Sequence, residues 1–246
     1  MGQTHFRGYL AREEGKKKSL KLRKCDDCYV HAISNPVFLA WEQHLELEGT
    51  EEAKESATAK IAAQQLDFPV PISDTVFISD GVGATNMEKM KSLGITHVLN
   101  VGGPTAAMRL PDSYKSVGIK YKIIDALDEP SYPMLDEHLE ECLEFINDAR
   151  QNQGKCVVNC QAGCNRSGVI VAADYMLTSR ANVLKTILHC RKCRGNAFLT
   201  NSGFQGQLVA LARRKRLLGP EPGHRDCVVD PLLWRKVAEN GGAVFR

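Results

Sequence analysis

The chain has 246 residues, 43% of them hydrophobic and 25% charged, with a net charge of +3. That length supports one well-buried domain with extensions, or two small ones, and the charge is too small to argue alone for nucleic acid or membrane. No run approaches the roughly 18 apolar residues of a membrane span. The nine cysteines, with no apolar leader, fit free thiols in a reducing compartment better than a disulfide framework. The expected compartment is the cytoplasm.

Charge is uneven at the start. Residues 1–24 hold eight Lys and Arg against Glu13 and Glu14, while residues 25–72 hold nine acids against Lys54 and Lys60. The first stretch reads as a basic, weakly structured arm, and the two together as solvated faces rather than a docking pair. Asn35-Pro36 offers a cap and a first-turn proline for a helix over Val37–Leu47. Thr50 caps a second helix to about Gln65, and Phe68–Ile72, with two prolines, reads as a linker. Thr75–Ile78 is a short strand, and Thr85 or Asn86 starts a helix ending near Gly94. Thr96–Val101 is a buried strand stopped by Gly102-Gly103-Pro104, and Ile119–Ile124 is the next. Leu135 to about Asn152 carries apolar residues at helical spacing. Cys156–Val158 is a strand, residues 160–166 a loop, and Ser167–Leu177 a helix. Helices follow over about 181–193 and 202–217. Beyond the breaker Gly219–Gly223, Asp230-Pro231 caps a short helix to about Glu239, which Leu232, Leu233 and Trp234 would dock.

Strands alternating with longer helices predict a three-layer α/β/α sandwich around a central mixed, mainly parallel sheet, with a helical N-terminal extension. The domain reading is 1–69 for the arm and extension, 70–216 for the main domain, and 217–246 for a tail.

The chemistry concentrates at Cys160-Gln-Ala-Gly163-Cys-Asn-Arg166-Ser167. Of the nine cysteines only Cys160 has Arg six residues later. A strand delivers Cys160 to the end of the sheet where α/β proteins bind ligands. The helix beginning near Ser167 aims its first amides and positive dipole end at the same loop. Such a loop can converge its backbone N–H groups on one anion, with Gly163 at the tight bend. Arg166 offers a planar fork to two phosphate oxygens. The same field favours thiolate over thiol at Cys160, which is then placed for in-line attack through a phosphocysteine intermediate. The leaving oxygen needs a proton, and Asp125 and Asp128 lie on the loop after a neighbouring strand. Asp128 is preferred because a Glu-Pro-Ser-Tyr-Pro turn follows it and could project it over the pocket.

These residues resemble the signature of the dual-specificity phosphatases, His-Cys-x-x-Gly-x-x-Arg-Ser. Gly94–Val101 and Asn201–Leu208 are similar to other stretches of that family, and Asp128 precedes Cys160 by 32 residues, a separation typical of its general acid. The resemblance covers about residues 70–216. It implies Cys160 as nucleophile, Arg166 as phosphate ligand, Asp128 as acid and then base, and Ser167 as the hydroxyl that assists departure of the thiolate. Gln161, Ala162, Gly163, Cys164, Asn165 and Arg166 would bind the phosphate. It implies phosphorylated proteins as substrates and partners, with phosphotyrosine first and phosphoserine or phosphothreonine second. No cofactor or metal is called for, and no nucleic acid is expected. Two rivals stand beside it: a weak or inactive phosphatase that holds phosphoproteins, and an RNA 5′-phosphatase. The second is suggested by Asn165-Arg166-Ser-Gly, and the Gln-Ala of the loop argues against it.

The pattern departs from the family at Asn159, which stands where the family has His. Asn cannot carry the positive charge, so a slower enzyme with a less fully ionised Cys160 is expected. Cys164 reads as a small space-filler, with a disulfide to oxidised Cys160 as the alternative. The pairs Cys25/Cys28 and Cys190/Cys193, near His31 and His189, are too far apart in sequence to favour a shared zinc. Arg213–Arg216 reads as a solvated helix end, with a nuclear signal as the alternative. His5, His44 and His138 show no catalytic spacing.

Overall fold

The computed structural model describes residues 26, 28–34, 67–104 and 111–219. The basic arm, the helices expected over 37–47 and 50–65, and the tail helix lie outside them.

Five strands form one sheet: β1 (Val70–Pro71), β2 (Val76–Ser79), β3 (Ile95–Asn100), β4 (Lys120–Ile123) and β5 (Lys155–Asn159). Their order is β1-β2-β5-β3-β4. β1 is antiparallel to β2, and the remaining pairings are parallel, so the sheet is mixed and mainly parallel. The helices are α1 (Met87–Leu93), α2 (Pro111–Ser116), α3 (Met134–Gln151), α4 (Arg166–Ser179), α5 (Val183–Arg194) and α6 (Ser202–Arg214). A 3-10 turn covers Gly83–Thr85, and residues 28–34 are helical.

Side-chain alternation along the strands sorts the core into two sides. Val76, Ile78, Leu99, Cys156 and Val158 pack with α3, α4, α5 and α6 in the larger cluster, which also takes Tyr29 and Ile33. Phe77, Val98 and Val157 face the other way, against Ala84, Met90 and Tyr114 from the 3-10 turn, α1 and α2. The result is the expected three-layer sandwich. α4 is the central helix, buried from Ser167 through Asp174, as befits a segment apolar on most sides.

Element ends follow local chemistry. Asn86 caps α1 by accepting from Lys89 N at 3.0 Å, and Gly94 closes it at φ +71. Asn182 and Asn201 cap α5 and α6 with their side chains. Part of the Phe68–Ile72 stretch, expected to be a linker, is strand: Val70 pairs with Ile78 and Pro71 with Phe77. Proline is tolerated there because β1 is an edge strand whose outer side needs no donor. α2 and the 3-10 turn carry no strong periodic signal and were not anticipated.

Candidate active site

The parallel strands β2, β3, β4 and β5 end at Ser79, Asn100, Ile123 and Asn159. The loops that follow them gather at one edge, and β5 places Cys160 at its floor. Cys160 is 1% exposed, and its Sγ lies 3.2 Å from Ser167 Oγ in the first turn of α4.

The loop between them is held from outside by its carbonyls. Gln161 O accepts from Gly81 N at 3.1 Å, and Cys164 O from Leu199 N at 3.0 Å. Ala162 O and Gly163 O accept from Arg194 Nη2 at 3.0 Å and Nε at 2.7 Å. In a trans peptide the following N–H points opposite to the carbonyl. The amides of Ala162, Gly163, Cys164 and Asn165 therefore turn to the inner side, an arrangement that binds anions. Asn165 precedes α4 as its N-cap, yet its side chain makes no capping bond. The first-turn amides of α4 are thereby left to the same concavity. Gly163 sits at φ +61, and a Cβ on it would come within 2.7 Å of Ser79 O and 2.8 Å of Asp80 N. Only glycine fits there.

Arg166 is fixed by its Nη1, which donates to Gly102 O at 3.2 Å and Ala126 O at 3.0 Å. Its Nε is buried and has no hydrogen-bond partner. A buried guanidinium donor without a partner is costly unless a ligand meets it, and a phosphate oxygen is the natural acceptor. Asp128 stands 3.8 Å from that Nε. Its carboxylate accepts from Asn165 Nδ2 at 3.3 Å and from Asn201 Nδ2 at 2.9 Å. Asp125 instead lies against Gly103, where an added Cβ would fall 2.2 Å from Asp125 Oδ1. The fold thus sets Cys160 beside Ser167 and Arg166 beside Asp128, while the side chain of Asp125 packs on Gly103.

Asn165 does more than line the loop. Its Oδ1 accepts from Thr200 N at 2.8 Å, Thr200 Oγ1 at 3.2 Å and Asn201 N at 3.0 Å, while its Nδ2 reaches Asp128. Cys164 is more than a space-filler, because its Sγ receives Arg194 Nη2 at 3.1 Å and lies 3.4 Å from Ala162 O. Burial pushes its thiol up, with the Arg194 charge opposing. Asn159 keeps its main-chain carbonyl on Val101 N at 2.8 Å, but its side-chain Oδ1 is buried without a partner.

Arg194, Asn201 and Leu199 also hold the loop, and the sequence gives no local sign that they do. They lie 28 to 35 residues beyond the end of the loop at Arg166, and nothing in their local pattern ties them to it. The one available signal was the Asn201–Leu208 stretch, noted only as a resemblance. Leu199 holds φ +55, which costs a non-glycine residue about 1–3 kcal/mol and persists only where surroundings enforce it.

Other candidates resolve into packing. His189 stacks on Tyr175 with ring centroids 4.0 Å apart, and its Nε2 lies 2.7 Å from Ile72 O. Cys190 is buried beside it. His138 bridges Tyr132 OH at 2.6 Å and Glu141 at 3.0 Å. Among the described residues no group of three or more His, Cys, Asp or Glu side chains is placed to hold a metal ion. No helix among them is long and apolar enough to cross a membrane.

The family model described as dual specificity phosphatase, catalytic domain, matches residues 76–214. Dual specificity protein phosphatase 26 of Bos taurus is 34% identical over 160 residues, covering 65% of this chain and 72% of its own. The Homo sapiens protein of the same name gives the same identity and coverage. Among solved structures, the human tyrosine phosphatase-like serine/threonine/tyrosine-interacting protein superposes with a TM-score of 0.55 at 22% identity. It covers 60% of this chain and 97% of its own. That last likeness speaks for the fold alone.

Proposed function

The chain belongs to the dual specificity phosphatase family, cysteine-dependent protein phosphatases, and from that premise we propose a role for each residue at the site. The Cys160 thiolate attacks the phosphorus of a phosphorylated side chain. The S–P bond forms as the bond from phosphorus to the side-chain oxygen breaks, and Asp128 delivers its proton to that oxygen. Arg166 Nε and the inward amides of residues 162–165 hold the three remaining oxygens and meet the charge that spreads over them. In the second step Asp128 takes a proton from water as the water attacks phosphorus. The S–P bond then breaks, and the Ser167 hydroxyl donates to the departing sulfur anion. Inorganic phosphate leaves, and the thiolate is restored.

One observation supports this reading: the carbonyls of residues 161–164 are held outward, which turns the loop amides inward, and the buried Arg166 Nε makes no hydrogen bond of its own. The preference for phosphotyrosine is supported by the borders of the site. Val82 follows Gly81, which bonds the loop, and Leu127 precedes Asp128. They are the most exposed large apolar side chains among the described residues, at 71% and 52%. An aryl ring would shed water against such flanks, whereas a phosphoserine side chain offers little to bury.

The test compares wild type with Cys160→Ser on phosphotyrosine and phosphoserine peptides and on a 5′-triphosphorylated RNA. The expected result is phosphotyrosine turnover by wild type alone, with the serine variant still binding the peptide. Peptide binding without turnover by wild type would make the protein a phosphoprotein-holding module. RNA turnover outpacing peptide turnover would replace the substrate class.

A further inference from the structure

The helical residues 28–34 lie outside the matched region 76–214, yet two of their groups reach toward the back of the phosphate loop. Ile33 O accepts from Arg191 Nη1 at 2.7 Å, and Ser34 Oγ donates to Gln205 Oε1 at 2.7 Å. Arg191 and Gln205 are buried side chains of α5 and α6, and both continue to the turn that joins these helices. Arg191 Nε donates to Phe198 O at 3.0 Å and its Nη2 meets Leu199 O at 3.5 Å. Gln205 Nε2 donates to Leu199 O at 2.8 Å.

Leu199 is the residue held in the left-handed region, and from it the path divides. Its own N–H donates to Cys164 O in the phosphate loop. The next two residues hold Asn165 Oδ1, and Asn201 Nδ2 holds the Asp128 carboxylate. A buried guanidinium placed entirely on carbonyls, one of them from the N-terminal segment, is not needed to fill space. An apolar side chain would fill the same space but leave the carbonyls of Ile33 and Phe198 without their donor. What the guanidinium adds is direction, because its planar fork fixes where those carbonyls stand.

We propose that the helical segment over residues 28–34 is a positioning element for the phosphatase reaction: through Arg191 and Gln205 it sets the Phe198–Asn201 turn, and so the attitude of the loop and of Asp128. This rests on the phosphatase reading above. The segment touches neither substrate nor sulfur; it acts by holding the residue that hands over the proton. Loss of its grip should therefore weigh most on reactions whose leaving group needs that proton.

The test uses the full chain with Arg191→Lys and Ser34→Ala, and two substrates that differ in leaving group, phenyl phosphate and 4-nitrophenyl phosphate. Phenoxide depends on the acid, and nitrophenoxide departs with little help. Arg191→Lys is expected to lower kcat/KM, which reports the leaving-group step and not the shared hydrolysis of the phosphocysteine, about 10-fold for phenyl phosphate and about 3-fold or less for the nitrophenyl ester. Ser34→Ala should give the same ordering with a smaller drop, and Asp128→Asn a larger one. Equal losses on both esters, or a lowered melting temperature with an unchanged ratio, would overturn the positioning role and leave a packing role. If Arg191→Lys fails to fold, the ratio in Ser34→Ala decides alone. A wild-type protein that hydrolyses neither ester would instead overturn the phosphatase reading.

Discussion

Gly163 shows how narrowly single residues are specified at the phosphate loop. Its φ of +61 and the 2.7 Å approach of Ser79 O leave no room for a methyl group. Gly163→Ala is expected to cost about 1–3 kcal/mol of stability, measured by urea unfolding. The loop must shift to admit the Cβ, so kcat/KM for an aryl phosphate should fall about 100-fold. A variant within threefold of wild type would show that the loop tolerates a different shape. Arg194 acts on the same loop from behind: its guanidinium binds two loop carbonyls and the Cys164 sulfur, and lies 4.8 Å from the Phe68 ring centroid. Arg194 thus braces the backbone of the loop, while Arg166 is itself held by the carbonyls of Gly102 and Ala126.

Between elements, the clearest electrostatic coupling joins α3 to α4. Arg150 Nη2 donates to both carboxylate oxygens of Asp174, at 3.1 and 3.0 Å. Burial raises the Asp174 carboxyl above its ordinary 3.8, and Arg150 opposes the rise. A raised carboxylate means that ionisation costs the folded state, so this contribution to stability falls as pH climbs from about the ordinary value through the folded one. Replacing Arg150 by Met removes the opposing charge, which pushes the folded value higher and deepens the loss at neutral pH. Arg150→Met should therefore unfold at a lower temperature than wild type at pH 7, with a smaller gap at pH 4. Asp174→Asn should lose less than Arg150→Met at pH 7, because it leaves no unpaired buried charge. Equal losses at the two pH values would mean that packing, not charge, sets the effect. The same desolvation acts on the buried thiols: Cys142 is pushed up to about 12, and Cys156 and Cys190 are raised as well.

At the scale of the whole molecule, residues 28–34 are part of one folding unit with the catalytic sandwich. Tyr29 and Ile33 lie in the larger core cluster, and Tyr29 OH donates to Gly219 O at 3.0 Å. Asp26 pairs with Arg213 at the end of α6, so one arginine of the basic run Arg213–Arg216 serves in structure. Tyr29→Ala removes a fully buried aromatic ring and should cost about 3 kcal/mol. Unfolding should remain a single transition, followed by calorimetry. A separate low-temperature transition, with the main one unmoved, would show that the segment is an independent appendage.

Most of the strands and helices, and a loop from Cys160 to Arg166 between a strand and a helix, were legible in the residues. Each of these rests on local chemistry: a short β-type run at Thr75–Ile78, a helix start at Thr85 or Asn86, a glycine where the chain must bend, and a cysteine and an arginine six apart between a strand and a helix. β1 was hidden because Pro69 and Pro71 act as local breakers, and only the edge position of that strand makes them harmless. The sequence by itself determined the family and the residues of its signature loop. Only the tertiary structure decided what holds them, because Arg194, Asn201, Arg191 and Gln205 reach the site through hydrogen bonds between residues far apart in the chain. Such pairings leave no periodicity or spacing to read.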